Sequence, residues 1–262
     1  AAPDPRLKLS DAETRWLAAH PVIRIGVDPG YAPYAYVDAQ GRFRGVAAEF
    51  ADKVSALLGI RMELVPLPSW TDIIEAAKAH RIDVITTAVK LPEREAYLGF
   101  TRMYIPTPLV IVTRADTPRL ESPDDLQHYP VALVTRYAGS KKVLQRHPDL
   151  KVLFVETPLE GLRAVSAGDA DAYVGVLGVS TWLASQHGLS NLKVNIGFEM
   201  VENGQNYGVR KDWPELVALL DKALAAIPDE DKAAIFWRWV PVLQEARASS
   251  ENSRCSAKAS AS

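Results

Sequence analysis

An arginine-bearing loop, Pro92-Glu93-Arg94, is the place in this chain where a small anion could be held. A planar guanidinium offers two parallel donors to the two oxygens of a carboxylate. Asp28, Tyr31 and Thr87 fall at the carboxyl ends of predicted strands, where ligands gather in open α/β sheets. Other chemistries lack their residues. The single cysteine, Cys255, lies near the end of a polar tail, so no internal disulfide or cysteine-based metal site can form. The five histidines show no ligand spacing. No nucleophile, metal or cofactor motif is present, and neither a cofactor nor catalysis is expected.

The elements that must position these residues follow one grammar used twice. Ser10-Asp11-Ala12-Glu13 is a capping-box pattern opening a short helix through Trp16 and Leu17, closed by His20-Pro21. A strand over 22–27 then runs into the loop Asp28-Pro29-Gly30-Tyr31-Ala32-Pro33. A helix between Gly45 and Gly59, a strand over 60–65, a helix from Ser69 and Asp72 to about His80 and a strand over 82–87 complete the first unit. This order implies a mostly parallel sheet covered by helices. The run 107–114 carries Pro106 and Pro108 at its start and reads as an edge or hinge-crossing segment rather than a central strand.

After Ser122-Pro123-Asp124-Asp125 the grammar repeats: strand 131–134, helix about 139–146, strand 152–155, helix 159–167, strand 172–176 and helix 179–186. A strand near 193–196 precedes Asn203-Gly204-Gln205-Asn206, and 207–210 returns the chain to the first lobe, making a second crossing. Helices over 214–227 and 230–240 close the pattern. The expected divisions are a helical preface at 1–20, lobe 1 from 21–107 and 205–240, lobe 2 from 108–204, and a linker or added tail over 241–262. The fold class is α/β, a two-lobed clamp.

Composition narrows the partners. The 262 residues suffice for two lobes of about 100 residues each. Hydrophobic content of 48% and charged content of 24% are ordinary for a soluble globular protein, and no stretch reaches the roughly 20 apolar residues that span a bilayer. A net charge of -2 offers no field for collecting nucleic acid. No basic-then-apolar leader opens the sequence, which reads as a secretory signal already removed or as excision from a longer chain.

Ile23-Arg24-Ile25-Gly26-Val27-Asp28-Pro29-Gly30-Tyr31-Ala32-Pro33-Tyr34, the helix between Gly45 and Gly59, Arg81-Ile82-Asp83-Val84-Ile85, Pro92-Glu93-Arg94 and Phe100-Thr101-Arg102-Met103-Tyr104 stand in an informative order and spacing. With these pieces the chain resembles the bacterial extracellular solute-binding proteins of family 3 over about 17–240. The resemblance implies the periplasmic-binding-protein-like type II Venus flytrap fold with two hinge crossings. More narrowly, Trp16-Leu17-Ala18-Ala19-His20-Pro21, the eleven positions from Asp83 to Arg94, and Val209-Arg210-Lys211-Asp212-Trp213-Pro214-Glu215-Leu216 look like the sensor domains of BvgS-type histidine kinases.

The resemblance implies roles for single residues. Arg94 takes the place that clamps a ligand carboxylate, against the alternative that it pairs with Glu93, Glu95 or another surface acid. Thr87 would offer a donor beside it, or serve as a strand end of high β propensity. Tyr31 and Trp70 correspond to positions lining the cleft, with a core anchor at a helix start as the competing role for Trp70. Tyr137-Ala138-Gly139-Ser140 occupies the turn whose backbone N–H groups and helix N-terminus seat an anion, which implicates Tyr137, Gly139 and Ser140. Arg136 stands where relatives often have glycine, and it either adds to anion binding or fills part of the cleft. Val176 falls where relatives place the acid that pairs a ligand ammonium, so the expected ligand is a small anion without one. Asp171 is expected to be a strand-entry residue.

Three functions compete. One is a ligand-sensing input domain of a membrane-bound two-component histidine kinase, periplasmic, acting with other periplasmic domains of its receptor and as a homodimer. The second is a free-standing binding protein of an importer for amino acids or organic acids. The third, an enzyme on this fold, needs a positioned acid or base, and Val176 removes one natural location for it.

Overall fold

The computed structural model describes residues 1–200 and 202–239. The tail expected over 241–262 and the Val240 end of the last predicted helix lie outside them. Helix α1 (Asp11–Ala19) opens on a formed capping box: the Ser10 hydroxyl accepts from the Glu13 N–H and the Glu13 carboxylate accepts from the Ser10 N–H. Strand β1 (Val22–Gly26) leads to β2 (Gly30–Tyr31), β3 (Ala35–Val37) and β4 (Phe43–Arg44), a small antiparallel meander that the residue pattern did not announce. Helix α2 (Val46–Leu58) stops at Gly59, whose φ of 67° is the left-handed cap expected there. Then come β5 (Arg61–Leu64), α3 (Trp70–Lys78), capped by Ser69, and β6 (Val84–Ala88), followed by β7 (Leu98–Phe100) and β8 (Ile105–Pro106).

The second half holds β9 (Leu109–Arg114), β10 (Val131–Val134), α4 (Ala138–Arg146), β11 (Val152–Val155), α5 (Pro158–Ala167), β12 (Ala172–Val176), α6 (Leu177–Gln186) and β13 (Leu192–Glu199). The chain returns through β14 (Gly204–Arg210) and ends in α7 (Pro214–Ala226) and α8 (Asp229–Trp239).

The first sheet runs β5-β1-β6-β14-β7, with β5, β1 and β6 parallel and β14 antiparallel to its neighbours β6 and β7. The second runs β11-β10-β12-β9-β13, parallel through β12 and antiparallel beyond. Each sheet is therefore mixed, with one strand, β14 in the first and β9 in the second, running against the others, so the mostly parallel order expected for the first unit holds apart from that reversed strand. The reading of 107–114 as an edge or crossing segment is corrected. Only residues 105–108 cross, whereas β9 lies inside the second sheet, paired on both sides and buried from Leu109 to Thr113. Both prolines precede the ladder, so neither removes a donor from it.

Two strands cross between the sheets side by side. β8 pairs with the start of β14, Pro106 opposite Gly204 and Ile105 opposite Gln205. The Asn203 amide donates to the Thr107 carbonyl and hydroxyl at 2.8 and 3.0 Å, and Gln205 donates to the same hydroxyl at 3.1 Å. This two-stranded hinge joins two lobes of a type II Venus flytrap. At the far end of the chain, α8 packs on α2, with Trp239 donating to Glu49. The Trp239 ring also lies 6.2 Å from Tyr36 on β3 and 6.4 Å from Trp182 on α6, so the last described turn touches both lobes.

Candidate binding cleft

The carboxyl ends of β6 and β12 and the N-terminus of α4 converge on a cleft between the lobes. Its lining contains Tyr31, Trp70, Thr87, Arg94, Tyr137, Gly139 and Ser140, seven of the eight residues singled out from the sequence. Asp28 is the exception. It lies behind the lining, buried, accepting from the Gly30 N–H at 3.1 Å and from the Tyr137 hydroxyl across the cleft. Burial raises the Asp28 carboxyl above the ordinary aspartate value, against the two hydrogen bonds that favour its charged form.

Arg94 ends a 3-10 turn, Pro92–Arg94, and is only 3% exposed. Glu93 pairs with Lys141 and Glu95 with Lys90, so neither neighbour neutralises it. Its guanidinium donates instead to the backbone carbonyls of Val89, at 2.9 Å, and Arg136, at 3.1 Å. It also lies 5.2 Å from the centre of the Trp70 ring. Burial pulls its pKa down to about 10, the mark of a cation lacking a partner charge.

The Arg136 carbonyl is where the lobes latch. It accepts from Arg94 and, at 3.1 Å, from the Trp70 indole N–H, both on the first lobe. Arg136 adopts φ 64°, the left-handed region, which gives the frequent glycine of relatives a physical reason. Its side chain swings out of the cleft to Glu75 at 2.9 Å. Tyr137 completes the closure, its ring edge-on to Tyr31 and Trp70 at 6.1 and 5.8 Å. The space left inside is about 40 Å3, enough for a few water-sized molecules.

On the second lobe, α4 begins without a side-chain cap, so the N–H groups at its start point to the cleft unclaimed by a cap. The Ser140 hydroxyl is engaged elsewhere, donating to the Val134 carbonyl at 2.6 Å. Val176 does line the cleft, and Arg94 is the one ionic side chain among the described lining residues. Asp171 pairs with Arg114 at 2.6 Å, away from the lining.

Sequence reading missed Tyr173, Asn203 and Gln205. Tyr173 forms a cleft wall because glycines leave room for its ring; a Cβ at Gly175 or Gly161 would sit 2.4 or 2.7 Å from it. Asn203 and Gln205 were visible as a polar run, and their two-residue spacing puts both amides on one face of an extended chain. Gln205 donates to the Tyr31 hydroxyl at 2.9 Å, tying the cleft wall to the hinge. Among the described residues no group of His, Cys, Asp and Glu side chains could hold a metal ion, and no helix is long and apolar enough to cross a membrane.

Comparison with known proteins agrees with this architecture. The virulence sensor protein BvgS of Bordetella pertussis is 26% identical over 230 residues, 88% of this chain and 19% of BvgS. The sensor protein EvgS of Escherichia coli K12 is 23% identical over 243 residues, again 19% of its own length. The chain thus spans about a fifth of these curated sensor relatives. The L-cystine-binding protein TcyA of Bacillus subtilis is 26% identical over 214 residues, 77% of its length. The crystal structure of the B. pertussis BvgS periplasmic VFT2 domain superposes with a TM-score of 0.78 at 26% identity, covering 88% of this chain and 98% of that domain. The family model for bacterial extracellular solute-binding proteins, family 3, matches residues 23–242, and the chain belongs to that family.

Proposed function

We propose that this chain is the ligand-sensing flytrap of a membrane-spanning two-component histidine kinase, the periplasmic part of an inner-membrane receptor, and that its cleft takes a small organic anion without an ammonium group. The ligand class rests on the charge of the lining: one buried arginine and no carboxylate among the described lining residues. A carboxylate would replace a carbonyl as acceptor for Arg94 and meet the N–H groups that open α4. A zwitterionic amino acid would bury its ammonium beside Val176 without a partner, which is costly.

The sensor role is supported by the near-complete coverage of a sensor flytrap and by the closure itself. The lobes are latched by protein groups, so an effector must compete with the Arg136 carbonyl for Arg94, and binding shifts an equilibrium between lobe positions. The Trp182–Trp239 contact supports this reading, because it links the last described turn of α8 to the second lobe and would feel a change in lobe spacing. Other periplasmic domains and a second copy of the receptor are the partners this role requires. The likeness to TcyA supports a second reading, a free-standing importer protein. A gene that continues into a membrane helix and kinase modules decides for the first.

The ligand class is tested by a thermal-shift screen of small carboxylates and amino acids on the wild type and Arg94→Ala. A carboxylate at about a hundredfold over its Kd adds roughly 2.7 kcal/mol, a rise of roughly 5–10 °C. That rise should vanish in the variant. Tight calorimetric binding of a zwitterionic amino acid by the wild type would sink the assignment.

A further inference from the structure

A second cavity of about 140 Å3 opens on the outer rim of the closed cleft. Ile74 and Lys78 of α3, Glu93, Arg94 and Tyr97 line it from the first lobe, and Arg136 and Lys141 from the second. Four cations therefore face one lining carboxylate. Lys141 pairs with Glu93 and Arg136 with the flanking Glu75, each at 2.9 Å. Lys78 lies 5.2 Å from the centre of the Tyr97 ring, and Arg94 is bonded to carbonyls. Among the described residues neither Lys78 nor Arg94 has a carboxylate at salt-bridge distance. Positive charge is in excess here, while the chain as a whole carries -2.

We infer that this rim is a binding site for a small oxyanion carrying two or more charges, such as a phosphate, next to the cleft and sharing Arg94 with it. The two pairs that occupy the rim are partly exposed, and such pairs are weak enough to be rearranged. A multiply charged oxyanion offers acceptors to Lys78, Lys141 and Arg136 together and places negative charge beside the buried Arg94. The site is assembled from both lobes. Its occupation therefore favours the closed arrangement, because an opened clamp separates Arg136 and Lys141 from Lys78.

The test is thermal unfolding at constant ionic strength, with chloride replaced stepwise by orthophosphate or pyrophosphate as free ions, glycerol 3-phosphate as the esterified form, and acetate as the singly charged control. At about a hundredfold over its Kd, pyrophosphate should raise the melting temperature by roughly 5–10 °C, and acetate by less. The rise should disappear in the Lys78→Gln/Lys141→Gln double variant, whose residues line the rim and not the cleft. Should the double variant prove poorly folded, Lys78→Gln alone removes a cation that has no salt bridge and must reduce the rise at least severalfold in anion affinity. Glycerol 3-phosphate acting as strongly as orthophosphate assigns an esterified phosphate; orthophosphate alone assigns the free ion. No rise in the wild type, or an equal rise in the double variant, overturns the site.

Discussion

Two buried charges on the first lobe are treated in opposite ways. Asp83, just before β6, is buried and gathers four donors: the Arg24 backbone N–H at 2.9 Å, the Arg24 side chain at 2.8 and 3.2 Å, and Arg210 at 3.0 Å. Its own backbone bonds back to Arg24 and Arg210 at 2.8 and 2.9 Å, so it fastens β1 and β14 across β6. Arg94, eleven residues on and equally buried, donates only to backbone carbonyl oxygens, with the Trp70 ring beside it. A buried charge that is fully matched serves the scaffold. One left without a counter-charge, facing a cleft, fits the proposed role of meeting a counter-charge from outside.

Truncating each charge should separate the two roles most sharply. Asp83→Ala leaves Arg24 and Arg210 without their shared acceptor and is expected to cost about 3 kcal/mol, a fall of roughly 6–12 °C in Tm. Arg94→Met keeps the length and apolar stem while removing an unneutralised charge, so its stability should stay within about 1 kcal/mol of wild type, with anion binding lost. Urea unfolding of both variants checks this. Equal losses would mean that Arg94 is scaffold as much as Asp83 is.

Titration offers a second contrast between two aspartates, this time with opposite signs. For Asp83, burial pushes the carboxyl up, but the Arg24 and Arg210 bonds outweigh it and hold the pKa below the ordinary 3.8. Its contribution is complete above 3.8 and is lost as pH falls through the lowered value. Asp28 is raised by burial, so the stability tied to it is complete below 3.8 and is lost as pH rises through the window above. The pH slope of the melting temperature should differ from the wild-type slope below 3.8 for Asp83→Asn and above 3.8 for Asp28→Asn. Above 3.8 Asp83→Asn should melt lower than wild type by a constant amount while Asp28→Asn flattens the decline, and two slope differences on the same side would contradict the assigned causes.

What the residues announced and what they hid follow the range of the interactions. Strands 131–134, 152–155 and 172–176 were readable to the residue because short apolar runs between turn signals are local. The strands of the small meander, two or three residues each, are too brief for any period to register. β9 was hidden by Pro106 and Pro108, which sit three residues and one residue before its ladder. In the cleft, Arg94, Trp70 and Tyr137 could be named in advance by resemblance, but not what they touch. The Tyr137–Asp28 bond joins residues 109 apart and the Arg94–Arg136 bond residues 42 apart, and both exist only once the lobes meet. Nor could the sequence show that the arginine's acceptor would be a carbonyl of its own chain.

That carbonyl allows the finest distinction. Arg136 holds a left-handed backbone at a cost of about 1 kcal/mol, which glycine would relieve. Arg136→Gly also loses the partly exposed pair with Glu75, worth less than about 1 kcal/mol, and gains chain entropy in the unfolded state of similar size. The net change should be within about 1 kcal/mol of zero. Arg136→Ala loses the same pair and keeps the strain but adds less unfolded-state entropy than glycine, so the two variants should lie within about 1 kcal/mol of each other. Both retain the carbonyl, so the Arg94 and Trp70 bonds that latch the cleft persist and the carboxylate response should be unchanged, while both lose a rim cation and the pyrophosphate response should weaken. A glycine variant that binds carboxylate differently would show that the cleft depends on the Arg136 side chain, and would move the latch from the backbone to the guanidinium.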